Sequence, residues 1–172
     1  MFNIGDLIIY SSHGICKIDD IQEKTIAGVT RQYYILHPVA SETHLTISAP
    51  VNNDQVLVQG LMTKEEALNV LETFDEDGLE WIDNANKRFN EFSQIVSKGD
   101  KKEIARVANT FMRKRIELEK EEKKLYQKDE ALLEDIQRVL FHEIAIALDM
   151  SYQDVDTMIN NQIQGKSVHL PS

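Results

Sequence analysis

The chain has 172 residues, a net charge of −10 and a single cysteine, which is enough length for one full-sized domain or two small ones. The acidity argues against tight nucleic-acid binding, which requires phosphates to be neutralised, and one cysteine excludes both an internal disulfide and a cysteine-based zinc site. No apolar run approaches the ~18 residues of a membrane span and the start lacks a signal peptide's basic end and apolar stretch, so a cytoplasmic protein without a membrane partner is expected.

Taken in chain order, Leu7-Ile8-Ile9-Tyr10 reads as a first strand and Ile15 to Ile21 as a second, joined by a turn through Ser11-Ser12-His13-Gly14. Cys16 alternates with Ile15 and Ile18 in the second strand, the position of a packed residue rather than a nucleophile. A further turn falls at Ile26 to Thr30, then Gln32 to Leu36 is the strongest strand signal, Leu45 to Ala49 alternates ahead of Pro50, and Gln55 to Val58 forms a fifth strand. Five short strands in under sixty residues predict a small Tudor- or SH3-like barrel. The composition changes near residue 61: two of the three prolines and four of the seven glycines precede it, and Glu/Lys-rich stretches with helical spacing follow.

In the second half, Thr63 with Glu66 forms a capping box ahead of Ala67, Leu68, Val70 and Leu71. Asp75-Glu76-Asp77-Gly78 interrupts that helix, and a second runs from Trp81 or Asn84 to Lys98. Gly99 stops it and Asp100 with Glu103 starts a third, whose apolar stripe is Ile104, Val107, Ala108, Phe111 and Met112. A fourth helix spans about Asp129 to Leu148, and a fifth begins at Ser151 and Asp154 and ends at Gly165. The expected fold class is α+β in two domains, a β-barrel over 1–61 and an all-α bundle of about five helices over 62–172.

Charge is unevenly spread along the bundle. Residues 98–128 hold eleven Lys/Arg against six Asp/Glu, whereas 129–172 hold two against eight, so the basic run is either a candidate DNA contact or, as such runs more often are, a solvated helix laced with i,i+4 ion pairs. The five histidines, His13, His37, His44, His142 and His169, lack metal-ligand spacing, the acidic loop from Glu76 to Glu80 lacks the later ligands of an EF-hand, and the glycines form no phosphate-binding fingerprint. These absences predict a protein that is not an enzyme and has no cofactor, no metal and no small-molecule substrate.

The run Ile4-Gly5-Asp6-Leu7-Ile8-Ile9-Tyr10 with His13-Gly14, then Ile26-Ala27-Gly28, Tyr34-Ile35-Leu36, Leu45-Thr46-Ile47 and Pro50, resembles the CarD/CdnL family of bacterial transcription regulators. The first module is also similar to the RNA polymerase-interacting domain of the transcription-repair coupling factor. The likeness continues through Ser97-Lys98-Gly99-Asp100 and Glu143 to Leu148. It implies a Tudor-like barrel that docks on the RNA polymerase β subunit through an edge strand at Leu45, Thr46, Ile47 and Ser48, with Lys24 as a neighbouring cation. It further implies a helical domain that touches promoter DNA weakly and without sequence preference, modulating open-complex stability, with Trp81, Ala85, Lys87, Arg88, Arg113 and Lys114 as the candidate contacts. Family members often carry a tryptophan at the position of Ala85; the tryptophan here is Trp81, about one helical turn earlier, where it is either a minor-groove wedge or a packing residue. Many members also carry arginine where Ser48 stands. The runner-up reading is a polymerase-bound adaptor whose helical domain binds protein instead of DNA.

Overall fold

Short β-branched and aromatic runs within the first sixty positions form one antiparallel sheet whose main apolar face makes the core of this unit. The computed structural model describes residues 1–10, 13–40, 44–53, 58–166 and 168. Its strands are β1 (Leu7–Tyr10), β2 (Gly14–Ile26), β3 (Val29–Pro38), β4 (Ile47–Pro50) and β5 (Val58–Gly60). They are ordered β4-β3-β2-β1-β5, so β4 and β5 are the edges. Among the described residues these two edges do not pair with each other, so the expected α+β class holds with a five-stranded antiparallel sheet whose closure into a barrel is not shown. Ser11 and Ser12 of the first turn, and residues 55–57 of the expected fifth strand, lie outside the described residues.

The apolar face buries Ile8, Cys16, Ile18, Tyr34, Leu36 and Ala49. A register shift between Ile18 and Asp20 explains how Ile18 and Ile21, three residues apart, both reach that core: the extra residue of a bulge restores the face that simple alternation would lose. Burial also pushes the Cys16 thiol above its ordinary value, in keeping with an inert packed side chain.

The second and third strands differ from expectation. Instead of stopping at Ile21 and starting at Gln32, they continue as a paired hairpin to a turn at Ala27 and Gly28, both in the left-handed region with φ 51° and 78°. Residues 22–32 are mostly polar and, apart from a half-buried Lys24, exposed, with Ile26 and Val29 in solvent at the tip, so cross-strand hydrogen bonds rather than burial hold them and the hydrophobic alternation of a half-buried strand is missing.

The chain divides into two units, Met1–Leu61 and Met62–Ser172. The second is helical: α1 (Lys64–Glu72), a 3-10 turn at Thr73–Asp75, α2 (Ala85–Ser97), α3 (Lys101–Lys120), α4 (Gln127–Leu148) and α5 (Tyr152–Ile163). Four helix starts are built from local side-chain acceptors. Thr63 and Glu66 complete the capping box, Asn84 accepts from Lys87 N, Asp100 from Glu103 N and Ser151 from Asp154 N. The core joins Phe74, Phe111 and Phe141 to Leu71, Leu133, Ile144 and Ile159, all fully buried. On α3 burial extends beyond the apolar stripe to Asn109 and Thr110.

Both buried polar residues of α3 hold the irregular stretch before α2. Asn109 Nδ2 donates to Thr73 O at 3.1 Å and Glu76 O at 2.8 Å. Thr110 Oγ1 accepts from Leu79 N at 2.8 Å and donates to Arg106 O at 2.7 Å. Deep in the same unit, the fully buried Glu143 accepts from Met62 N at 3.1 Å and lies 3.0 Å from Lys101 Nζ. Desolvation raises its carboxyl above the ordinary value, with the Lys101 charge pulling the other way.

Candidate functional site

Two surfaces carry the residues singled out by sequence, one in each unit. In the sheet, Leu45 and Thr46 lie just ahead of β4 and are exposed, Leu45 by 43%. Ser48 stands opposite Ile35 and is exposed, whereas Ile47 stands opposite Leu36 and packs on the core. Ile47 therefore turns its half-buried side chain toward the core while its backbone stays on the edge strand. Lys24 on β2 reaches across β3 to donate from Nζ to Ser48 Oγ at 2.8 Å, so Lys24 and Ser48 share one side of the sheet. The other edge of β4 has no strand partner among the described residues, which leaves main-chain donors and acceptors available to an incoming strand.

In the helical unit the stretch before α2 sets Trp81 against α3. Its ring is half-buried and meets Phe111 edge-on at a centroid distance of 6.2 Å. The Arg88 guanidinium lies 4.3 Å from the ring centroid and Lys114 Nζ 5.1 Å from it, within the range of cation–π attraction. Trp81 thus precedes helix α2 instead of beginning it, and it packs. One side of the indole still borders a surface cleft of about 480 Å³ that also contains Leu79, Glu80, Ile82 and Lys87.

The basic candidates separate by exposure. Lys87 is exposed, with Glu91 3.9 Å away; Lys114 is partly exposed and 3.4 Å from Glu117; Ala85 is the first residue of α2 and half-buried. Arg88 is turned inward, which corrects its reading as a phosphate contact, and Arg113 is half-buried with its guanidinium held by neighbouring groups. Arg88 is 4% exposed: its Nε donates to Asp129 Oδ2 at 2.9 Å, Nη2 donates to the same oxygen, and Nη1 donates to Ile82 O at 2.7 Å. Arg113 donates from Nε to Asn109 Oδ1 and from Nη2 to Phe74 O, each at 2.9 Å. An arginine in a basic run looks the same in sequence whichever way it points; Asp129, the partner that decides the matter, lies 41 residues away.

Among the described residues no group of three or more His, Cys, Asp or Glu side chains is arranged to hold a metal ion, and no helix is long and apolar enough to cross a membrane. The described residues thus form a sheet with two edge strands and a bundle of side-chain-capped helices.

Comparison with known proteins gives that architecture a family. Residues 2–62 match the CarD-like/TRCF RID domain and residues 69–160 match the CarD C-terminal domain, so the chain belongs to the CarD family. It is also 24% identical, over 151 residues, to YdeB of Bacillus subtilis (strain 168), whose name describes a candidate transcription factor; the match covers 85% of this chain and 92% of YdeB.

Proposed function

We propose that this protein is a bacterial transcription regulator of the cytoplasm, without enzymatic activity, whose sheet unit is a Tudor-like module that docks on the RNA polymerase β subunit. Its helical unit then biases promoter opening. The observation that carries this reading is the unpaired edge of β4, flanked by exposed Thr46 and Ser48, within a segment that matches the RID family. Edge pairing supplies affinity without a deep pocket.

Weak DNA contact suffices for the second half of the proposal. The cations near Trp81 that reach solvent are the exposed Lys87 and the partly exposed Lys114, each near a carboxylate, and surface pairs of this kind are worth roughly 0–1 kcal/mol. A phosphate can displace them at small loss. Once the sheet unit is docked, the helical unit sits beside the promoter at high effective concentration, and about 1.4 kcal/mol of preference for the open state shifts the equilibrium tenfold. The alternative, a helical unit that binds protein, is favoured by those same carboxylates and by the acidic excess of residues 129–172, two basic against eight acidic.

The test uses the full chain with purified bacterial RNA polymerase. Charged side chains at a sheet edge block strand addition, so Thr46→Glu/Ser48→Glu should weaken polymerase binding at least tenfold with an unchanged melting temperature; undiminished binding refutes edge docking. Lys87→Glu should return the open-complex lifetime toward that of polymerase alone. An unaltered lifetime selects the adaptor reading.

A further inference from the structure

The helical unit has a second cleft, of about 670 Å³, formed by the end of α3, the loop after it, the start of α4 and the end of α5. It is larger than the cleft beside Trp81, it falls within the roughly 300–1,000 Å³ of small-molecule sites, and none of the residues assigned above to DNA lines it. Its loop is held by backbone. Glu122 takes the left-handed conformation, φ 59°, Glu122 N donates to Glu119 O at 3.1 Å and Lys123 N to Leu118 O at 2.8 Å. That Schellman closure satisfies the last carbonyls of α3 and sets the exposed Lys123 and Lys124 on the rim. Leu125 comes next, is 8% exposed, and with Ile116 gives the cleft an apolar wall.

The polar lining has capacity to spare. Arg115 Nη1 donates to Glu130 Oε1 at 3.1 Å, so a carboxylate orients the half-buried guanidinium while Nε and Nη2 keep no partner among the described residues. Those two nitrogens form the fork that grips a phosphate or carboxylate. Lys124 has no ion pair among the described residues, and Lys123 has only Glu121 at 3.2 Å, a solvent-exposed pair of the kind that yields readily to a competing anion. From α5, Asn160 Nδ2 is held by Asp156 O at 2.8 Å and Asp156 Oδ1 at 3.3 Å, which leaves Asn160 Oδ1 as an acceptor, and Gln164 is exposed with its amide unpaired among the described residues. A ligand that uses this lining needs negative charge, an apolar face and hydrogen-bonding groups of both signs. A continuous phosphate backbone meets only the first need and also passes the carboxylates Glu119 and Glu130. A mononucleotide, with its phosphate, flat ring and heteroatom edge, meets all three.

We propose that this cleft is a binding site for a free mononucleotide. Arg115, Lys123 and Lys124 hold the phosphate, Ile116 and Leu125 take the face of the base, and Asn160 and Gln164 meet its edge. The site shares no residue with the polymerase-docking edge or the surface beside Trp81, so it stands or falls apart from them.

Calorimetric titration of the full-length protein with AMP, GMP, CMP and UMP, set against inorganic phosphate and the parent nucleosides, tests this. At least one mononucleotide should bind with a Kd below about 1 mM, and at least tenfold more tightly than phosphate or its own nucleoside. Arg115→Gln and, separately, Lys123→Gln/Lys124→Gln should each weaken that binding at least tenfold. The two lysines are exposed, so the double variant should keep the wild-type melting temperature and its loss of binding is not a loss of fold. Gln164→Ala should weaken the mononucleotide several-fold and leave inorganic phosphate unaffected. Failure of all four mononucleotides to bind overturns the proposal, as does binding that both charge variants leave intact or that inorganic phosphate equals. If the same variants weaken duplex-DNA binding and no mononucleotide displaces the DNA, these cations serve nucleic acid and the proposal fails.

Discussion

Asp129 has no solvent-exposed surface, and a carboxylate in that position is tolerable only because Arg88 is buried with it. Removing one member of a buried pair leaves the other uncompensated, typically at about 3–5 kcal/mol. Arg88→Ala should therefore be among the most destabilising single changes in the helical unit, and it also strips the cationic lid from Trp81. Urea unfolding should show the loss, and the emission of this lone tryptophan should shift to the red in the native state. Arg88→Lys keeps the charge but not the three-nitrogen reach to Asp129 and Ile82, so it should recover only part of the stability. A variant of normal stability with an isolated defect at promoters would restore Arg88 as a DNA contact. The distinction matters for experiment, since charge reversal at Arg88 would look like loss of DNA binding while acting through the fold; Lys87, exposed one residue earlier, is free of that confusion.

At the level of elements, the stretch between the 3-10 turn and α2 positions Trp81 without regular structure of its own. Gly78 makes this possible. It has φ +85°, and a Cβ there would stand 2.8 Å from Thr110 Oγ1 and 3.2 Å from Thr110 Cα, a contact with backbone that no side-chain motion relieves. Gly78→Ala should thus destabilise by roughly 1–3 kcal/mol through strain and overpacking. It should also weaken the Leu79 to Thr110 hydrogen bond and move Trp81, detectable as altered emission at native conditions; an alanine variant with wild-type stability and emission would mean the close approach is not maintained. The helix starts on either side were legible in sequence because capping is local chemistry: Thr63 with Glu66, Asp100 with Glu103 and Ser151 with Asp154 each sit within four residues. The outer part of the β2–β3 hairpin was not, since a ladder of exposed and mostly polar pairs lacks a buried face to set a hydrophobic period, and neither was the inward turn of Ile47, which depends on register with Leu36. Arg88 was misread for a related reason: its carboxylate partner Asp129 is 41 residues distant.

Across the whole molecule, the division at Leu61 and Met62 gives two cores of unequal size, and stability should divide with them. A domain of about 60 residues buries only about 60% of the surface its unfolded chain exposes, and the sheet unit closes around six fully or almost fully buried side chains. The helical unit has a core more than three times as populous. The chain carries a separate reporter for each. Cys16 is completely buried in the sheet and is the single thiol, while Trp81 is the single tryptophan and packs in the helical unit. In a urea titration Cys16 should become reactive to a thiol reagent at lower denaturant than the midpoint of the Trp81 emission change. Calorimetry should accordingly show unfolding that is not two-state. Coincident transitions would mean that the two units fold as one cooperative body. Because any partner that binds the native sheet stabilises it by mass action, saturating polymerase should shift the Cys16 transition upward and leave the Trp81 transition close to its original place, tying the less stable half of the chain to the half proposed to dock.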